Sequence, residues 1–171
     1  IQYIPLYFSL PGKMNTHAPF DDYESGYFDR WPSVLLGIGN LDSSLYVYLD
    51  KIKSQINILD KTKINIKLEE ISKKEATSID INSSFLFSQF GRAALRSGWE
   101  DNDILIGFKS YQGGGLHIHY DQNNLVLGSS GEWILSDPGY QEFKPGFERR
   151  FGLSSFGHNT LILNKRGQIY K

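Results

Sequence analysis

Two histidines one residue apart, followed by an aspartate at the same spacing, are the part of this sequence best suited to chemistry. His117, His119 and Asp121 lie in the stretch GGGLHIHYDQ, in a chain that has only four histidines. On a β-strand alternate side chains share a face, so these three polar groups would lie on one face, with Leu116 and Ile118 on the other. Imidazole nitrogens together with carboxylate oxygens are good ligands for zinc. The spacing therefore indicates either a metal site or two surface histidines without a function.

Two further polar residues stand where short apolar runs meet turns. Asp137 ends the run EWILSD, and His158 opens the run HNTLIL. Ligands often converge at the ends of strands and at the turns beside them. Asp121 and Asp137 are also turn-forming residues, so each could instead cap a turn. The residues that follow the histidine pair match neither the metallo-β-lactamase signature nor the cupin signature.

From residue 84 onward the sequence has the pattern of a β protein. The short apolar runs FLFSQFGRAALRSG, ILIGFKSY, LHIHYD, NLVLGSSGEWILSDPG and HNTLILN are separated by Gly, Asn, Asp and Pro. Such runs predict a succession of strands with tight connections, including a hairpin with the loop Gly-Ser-Ser-Gly. No helical pattern lies between them, so we expect a mainly β fold, an antiparallel β-sandwich.

The first half of the chain has a different character. Residues 1–33 are rich in Pro, Gly and aromatic residues and show no period, which predicts a loop. Apolar residues in the range 34–53 have helical spacing, and Asp42 or Ser43 could cap a helix there. Residues 54–80 mix an alternating pattern with a helix-favouring one, so the sequence leaves their type open.

Length and composition limit the classes of function. The chain has 171 residues, a net charge of −1 and no cysteine. A net charge near zero argues against nucleic acid as a partner. The absence of cysteine excludes a disulfide framework and a cysteine nucleophile. No apolar run approaches the roughly 20 residues of a membrane span. Because the chain begins at Ile1 rather than Met, we expect a fragment of a longer protein.

Four stretches of the chain resemble the heparinase II/III-like polysaccharide lyases. They are FGRAALRSGW, GGGLHIHYDQNNLVL, GEWILSDPGY and FGHNTLILN, which follow one another over about residues 85–168. The shared pattern is H-x-H-x-D, then D-P-G-Y, then H-N-T, in that order and at similar spacing. The earlier stretch APFDDYESGYF resembles a divergent form of the family's G-D-x-D-D-G loop.

The resemblance implies an architecture and a reaction. Members of the family have an N-terminal α/α toroid and a C-terminal β-sandwich, and they cleave acidic polysaccharides by β-elimination. We therefore expect residues 1–55 to be a loop and helix at the end of a toroid or linking to one. Residues 56–83 would be a connecting segment, and residues 84–171 a β-sandwich domain truncated at its C-terminal end.

The resemblance also implies roles for the polar residues. His119, Asp137 and His158 would ligate a zinc ion that is largely structural. His117 would face the substrate cleft as the catalytic residue of this part and help to neutralise the uronate carboxylate. Neutralisation lowers the pKa of the proton at C5, which a base must remove.

Three more residues are candidates for binding substrate. Tyr140 follows Asp137 through a Pro-Gly turn that would swing it out of the sheet. Arg150 lies in FERRFG, and a guanidinium suits a uronate carboxylate, although a solvated surface charge is an equal reading. Gln122 directly follows the H-x-H-x-D motif, where it either lines the cleft or closes a turn.

The function expected from these residues is that of a polysaccharide lyase fragment, inactive by itself, that supplies a zinc site and one wall of the cleft. The alternatives are a non-catalytic carbohydrate-binding or structural module, and a metal-dependent sugar isomerase or hydrolase on a cupin-like barrel. The partner is an acidic polysaccharide or oligosaccharide, and heparin-like, alginate and capsular polymers all stay open. We expect the full-length protein to be periplasmic or secreted, and the sequence leaves its oligomeric state open.

Overall fold

A computed structural model of the chain describes residues 3–20, 42–52, 65, 78–111, 119–139 and 145–169. Its helices are α1 (Ile4–Phe8), α2 (Ser43–Ile52) and α3 (Phe147–Leu153). Its strands are β1 (Ser9–Leu10), β2 (Lys13–His17), β3 (Phe85–Phe87), β4 (Arg92–Arg96), β5 (Ile104–Lys109), β6 (Asn124–Ser129) and β7 (Glu132–Leu135). Single 3₁₀ turns lie at Ser88–Phe90 and Ser155–Gly157.

The larger sheet is an antiparallel meander of five strands in the order β3-β4-β5-β6-β7. Each strand pairs antiparallel with the one that follows it in sequence. The β6–β7 hairpin turns at Ser130 and Gly131, both with positive φ, which is the geometry of a two-residue type I′ turn. The predicted hairpin is thus confirmed, with a loop shorter than Gly-Ser-Ser-Gly because Gly128 and Ser129 belong to β6 and pair with β7.

The smaller sheet, β1 with β2, packs with α1 against one face of the larger sheet. Tyr7, Phe8 and Phe20 meet the core-facing side chains of the five strands, including Leu105 and Val126, which are fully buried. The backbone N–H of Gly131 donates to the carbonyl of Pro11 at 2.6 Å and joins the turns of the two sheets. The prediction of a mainly β, antiparallel sandwich is confirmed.

The prediction of a loop over residues 1–33 is wrong for Ile4–His17. Pro5 stands in the first turn of α1, where its missing N–H and fixed φ favour a helix. A five-residue helix followed by a two-residue strand is too short to show a period in the sequence. The guanidinium of Arg96 holds this segment to the large sheet, with Nη1 donating to the carbonyls of Tyr7 at 3.2 Å and Ser9 at 2.7 Å.

The predicted helix near residue 45 is confirmed as α2. Asp42 caps it, because its Oδ1 accepts a hydrogen bond from the N–H of Ser44 at 2.9 Å. Leu45, Tyr48 and Leu49 are fully buried against α1 and β2. The predictions for residues 34–41, and all but residue 65 of the range 53–77, lie outside the described residues.

Two predicted strands differ from the structure. The run HNTLILN forms none of the named strands, and Asn159 contacts β6 through separate hydrogen bonds instead of a regular ladder. The Asn159 N–H donates to Asn124 Oδ1 at 3.2 Å, its carbonyl accepts from the N–H of Leu125 at 3.3 Å, and its side chain donates to the carbonyl of Leu125 at 3.0 Å. The described end of LHIHYD, residues 119–121, is also outside any strand, and residues 116–118 lie beyond the described part.

The far face of the large sheet is apolar as well, but less covered. Leu86, Leu95 and Ile104 on that face are about half exposed or more. Among the described helices, none is long and apolar enough to cross a membrane. The three domain ranges proposed from the sequence stay predictions.

Candidate metal centre

Three side chains that are far apart in sequence meet at one end of the large sheet. His119 precedes β6, Asp137 follows β7, and His158 follows the 3₁₀ turn Ser155–Gly157. Each offers one possible ligand atom, and these atoms all lie within 4.8 Å of one another. All three residues are buried, with His119 fully so. The arrangement is therefore a closed cluster of two imidazoles and one carboxylate.

Asp137 is the centre of this cluster. Its Oδ2 lies 2.6 Å from His158 Nδ1, and its Oδ1 accepts a hydrogen bond from the N–H of Gly139 at 2.8 Å. The second bond closes a short Asx turn through Pro138, so the turn chemistry of SDPG also fixes the carboxylate. The centroids of the His119 and His158 rings are 5.1 Å apart, and the ring planes are tilted by 39°.

The electrostatics favour a positive charge in the cluster. Burial by itself would lower the pKa of His158, but its hydrogen bond to Asp137 and the charges of Asp137 and Asp121 outweigh burial, so the pKa is raised. A net raised pKa in a buried site means that the surrounding carboxylates stabilise a cation there. A bound metal ion would satisfy the same need.

The residues present fit a zinc ion. Within the described part of the chain, His158 Nε2 is buried and has no hydrogen-bond partner. Two imidazole nitrogens and one carboxylate oxygen are a common protein ligand set for zinc, with a fourth position left for water. The structure brings together the three residues that the resemblance nominated, and zinc binding itself stays a prediction.

A second layer of polar residues surrounds the cluster, and the sequence reading missed it. Lys109 Nζ lies 2.7 Å from Asp121 Oδ1, and both side chains are almost completely buried. Asn124 Nδ2 donates to Asp121 Oδ2 at 3.1 Å and also to Asp137 Oδ2. One signal was available: Lys109 shares the core-facing side of β5 with Leu105, and an inward lysine needs a buried partner.

The candidates for the cleft divide into two groups. His117 and Tyr140 lie outside the described residues, so their roles stay predictions. Arg150 is exposed in α3, whereas the three cluster residues are buried, so it is not part of the cluster.

Gln122 is partly buried beside the C-terminal segment. Its N–H donates to Gln168 Oε1 at 2.7 Å, and its carbonyl accepts from Gln168 Nε2 at 2.9 Å and from the Thr160 hydroxyl. It also lines an open concavity of about 860 Å³ together with Asn164 and Arg166. Its backbone therefore fastens a turn, and its side chain borders a polar surface, so both readings of this residue are compatible with the structure.

The fold and the cluster define a β-sandwich with a buried His-Asp-His centre between its strand ends. The family model described as heparinase II/III-like, C-terminal, matches residues 82–170, slightly more than half of the chain. The chain belongs to this family, as the resemblance indicated. No curated protein sequence matches the chain closely enough to count as a relative.

Solved structures of similar fold include a heparinase III and a heparan sulfate lyase. A heparinase III, the BT4657 gene product with methylated lysines, superposes with a TM-score of 0.58 at 19% sequence identity. The heparan sulfate lyase HepC from Pedobacter heparinus has the same TM-score at 18% identity. Each comparison covers 94% of this chain but only 22% and 23%, respectively, of the other, so the chain spans less than a quarter of these proteins.

Proposed function

We propose that this chain is part of a polysaccharide lyase that cleaves a uronate-containing polysaccharide by β-elimination. In this proposal His119, Asp137 and His158 hold a zinc ion, and the neighbouring surface forms one wall of the cleft. The observation that carries the zinc site is the meeting of three buried donors from three separate segments within 4.8 Å. Buried histidine and carboxylate side chains converge in this way in metal sites, and a chance surface grouping would not be buried.

The reaction needs a carboxylate to be neutralised and a proton to be removed. A base takes the C5 proton, and the electron pair of the C5–H bond forms the C4–C5 double bond. The C4–O bond breaks as the leaving oxygen gains a proton. His117 is two residues from His119 and would donate to the uronate carboxylate, which makes the C5 proton more acidic. The zinc ion, when bound, would supply a positive charge that ties the three segments together.

Family membership supports the reaction class, and the similar structures support the type of substrate. The two solved proteins are named as heparinase III and as a heparan sulfate lyase. Both names describe enzymes that act on acidic polysaccharides. We therefore propose an acidic polysaccharide as the substrate here, and the particular polymer is a matter for the assay below.

The test uses the complete natural polypeptide and a panel of acidic polysaccharides: heparan sulfate, alginate and capsular polymers. A lyase produces an unsaturated uronate, so ultraviolet absorbance should rise as the chain is cut. His117→Ala should lower turnover by roughly 100-fold or more, the low end for a positioned acid–base or charge-stabilising group, without loss of zinc.

Two results would contradict the proposal. New reducing ends without the ultraviolet signal would indicate a hydrolase. Binding to the polysaccharide without any cleavage would indicate a carbohydrate-binding module. Wild-type turnover in His117→Ala would remove the role given to that residue alone.

A further inference from the structure

Asn124 makes hydrogen bonds toward all three segments of the metal centre. It is fully buried at the first position of β6. Its amide nitrogen donates to Asp121 Oδ2 at 3.1 Å and to Asp137 Oδ2, and its amide oxygen accepts from the N–H of Asn159 at 3.2 Å. Asp121 is two residues from His119, and Asn159 adjoins His158, so each ligand segment has one bond to this side chain.

Asn159 joins two of the segments a second time. Its side-chain nitrogen donates to the carbonyl of Ser136 at 2.7 Å and to that of Leu125 at 3.0 Å. Ser136 precedes the ligand Asp137, and Leu125 lies in β6 beside Asn124. Because the run after His158 is not part of the sheet, these amide bonds take the place of a strand ladder.

We propose that Asn124 is the positioning residue of the metal centre and that Asn159 is its partner in the same task. The inference rests on the proposed zinc site and adds the residues that set its geometry. An asparagine side chain offers two donors and one acceptor in a fixed plane. An aspartate offers no donors and a serine only one, so neither can hold two carboxylates and one backbone N–H together.

The same bonds explain why the aspartate of the H-x-H-x-D motif is not a ligand. One oxygen of Asp121 is paired with Lys109 at 2.7 Å, and the other accepts from Asn124. Asp137 shares the Asn124 amide and lies 2.6 Å from the ring nitrogen of His158, and no lysine among the described residues pairs with it, so its charge is directed to the metal centre. Asn124 thus contacts two carboxylates with different roles: Asp121, which is paired with Lys109, and Asp137, which is a proposed metal ligand.

The contribution of such residues can be measured, because removing a hydrogen bond to a metal ligand typically lowers metal affinity by about 10–100-fold. In the complete polypeptide, Asn124→Ala should weaken Zn²⁺ binding by that factor in a competition with a chelator. Asn159→Ala should weaken it by about tenfold, at the lower end of this range, because water can reach the exposed carbonyl of Ser136. Ser129→Ala is the matched control, since it removes a hydrogen-bonding group from the same strand at its opposite end.

Cobalt gives a readout that loss of stability alone would not change. With Co²⁺ bound in place of zinc, the visible absorption spectrum reports the coordination geometry. The spectrum should change in Asn124→Ala and Asn159→Ala and stay the same in Ser129→Ala. If Asn124→Ala does not fold, the milder Asn159→Ala decides the question by the same two measurements.

The outcomes separate this inference from the proposed function. If the wild type binds neither Zn²⁺ nor Co²⁺, the zinc site fails and the inference fails with it. If the wild type binds zinc, and folded variants keep its affinity within about twofold, well inside the expected 10–100-fold loss, and keep its cobalt spectrum, the positioning role alone is overturned.

Discussion

Replacing Lys109 by methionine should strongly destabilise the protein, because the change leaves a buried carboxylate without its cation. Lys109 Nζ and Asp121 Oδ1 are 2.7 Å apart, with 3% and 0% of the side chains exposed. At that distance and an effective dielectric constant of about 20, the attraction is about 6 kcal/mol before the cost of desolvation. Removing one partner of such a pair typically costs about 3–5 kcal/mol. We therefore expect the free energy of unfolding to fall by about that amount in Lys109→Met.

A surface ion pair in the same chain supplies the control. Lys51 Nζ lies 3.9 Å from Glu100 Oε2, with 31% and 80% of these side chains exposed. An exposed pair of this type contributes less than about 1 kcal/mol, so Lys51→Met should be nearly neutral.

The assay is urea unfolding of the complete polypeptide after removal of metal with a chelator. The double variant Lys109→Met with Asp121→Asn should be more stable than Lys109→Met alone, because the uncompensated charge is gone. Equal losses of unfolding free energy in Lys109→Met and Lys51→Met would contradict a stabilising buried ion pair. A loss in the double variant equal to the sum of the two single losses would also contradict it.

Two further predictions concern residues away from the metal centre. Arg96→Met should lower the free energy of unfolding by about 3 kcal/mol, because the buried guanidinium donates to three backbone carbonyls. Arg92→Met, on the same strand, should cost less than about 1 kcal/mol, and equal losses in urea unfolding would contradict the role of Arg96. Burial lowers the pKa of His17 from 6.5 to about 3, so its contribution to stability is complete above about pH 6.5 and is lost as the pH falls toward 3. Urea midpoints from neutral to acidic pH should fall less steeply in His17→Gln, and an unchanged slope would show that His17 is not buried in its neutral form.

Local patterns in the sequence were sufficient for the β-meander and for α2. Alternation in ILIGFK and NLVLGS predicts strands, and the stretch Gly-Ser-Ser-Gly predicts a hairpin, whose turn in the structure is the shorter Ser130-Gly131. Asp42 before an apolar helical pattern marks the start of α2. In each case the neighbouring residues decide the structure.

The misses depend on contacts between distant residues. The hairpin of β1 and β2 is held by Arg96, more than eighty residues away in sequence, and no local pattern shows that bond. The run HNTLILN has the composition of a strand, but Asn159 bonds to Asn124 and Ser136 and leaves the ladder unmade. Propensity alone cannot show which partner a polar side chain finds in the fold.

Only part of the candidate site could be predicted from the sequence. The order of His119, Asp137 and His158 carried the resemblance, and the structure brings the three together. The supporting residues Lys109 and Asn124 carry no motif, because their role comes from the face of the strand on which they lie and from partners that only the fold supplies.

The most direct test of the account is the zinc content of the complete polypeptide together with its melting temperature. Protein purified without chelator should contain about one zinc per chain, and chelator should lower the melting temperature, since metal binding adds to folding stability. His158→Ala should lose both the zinc and the response to chelator. His17→Gln, a change at another buried histidine, should keep both. A wild-type protein with less than about a tenth of a zinc per chain, and a melting temperature that chelator does not change, would contradict the metal centre.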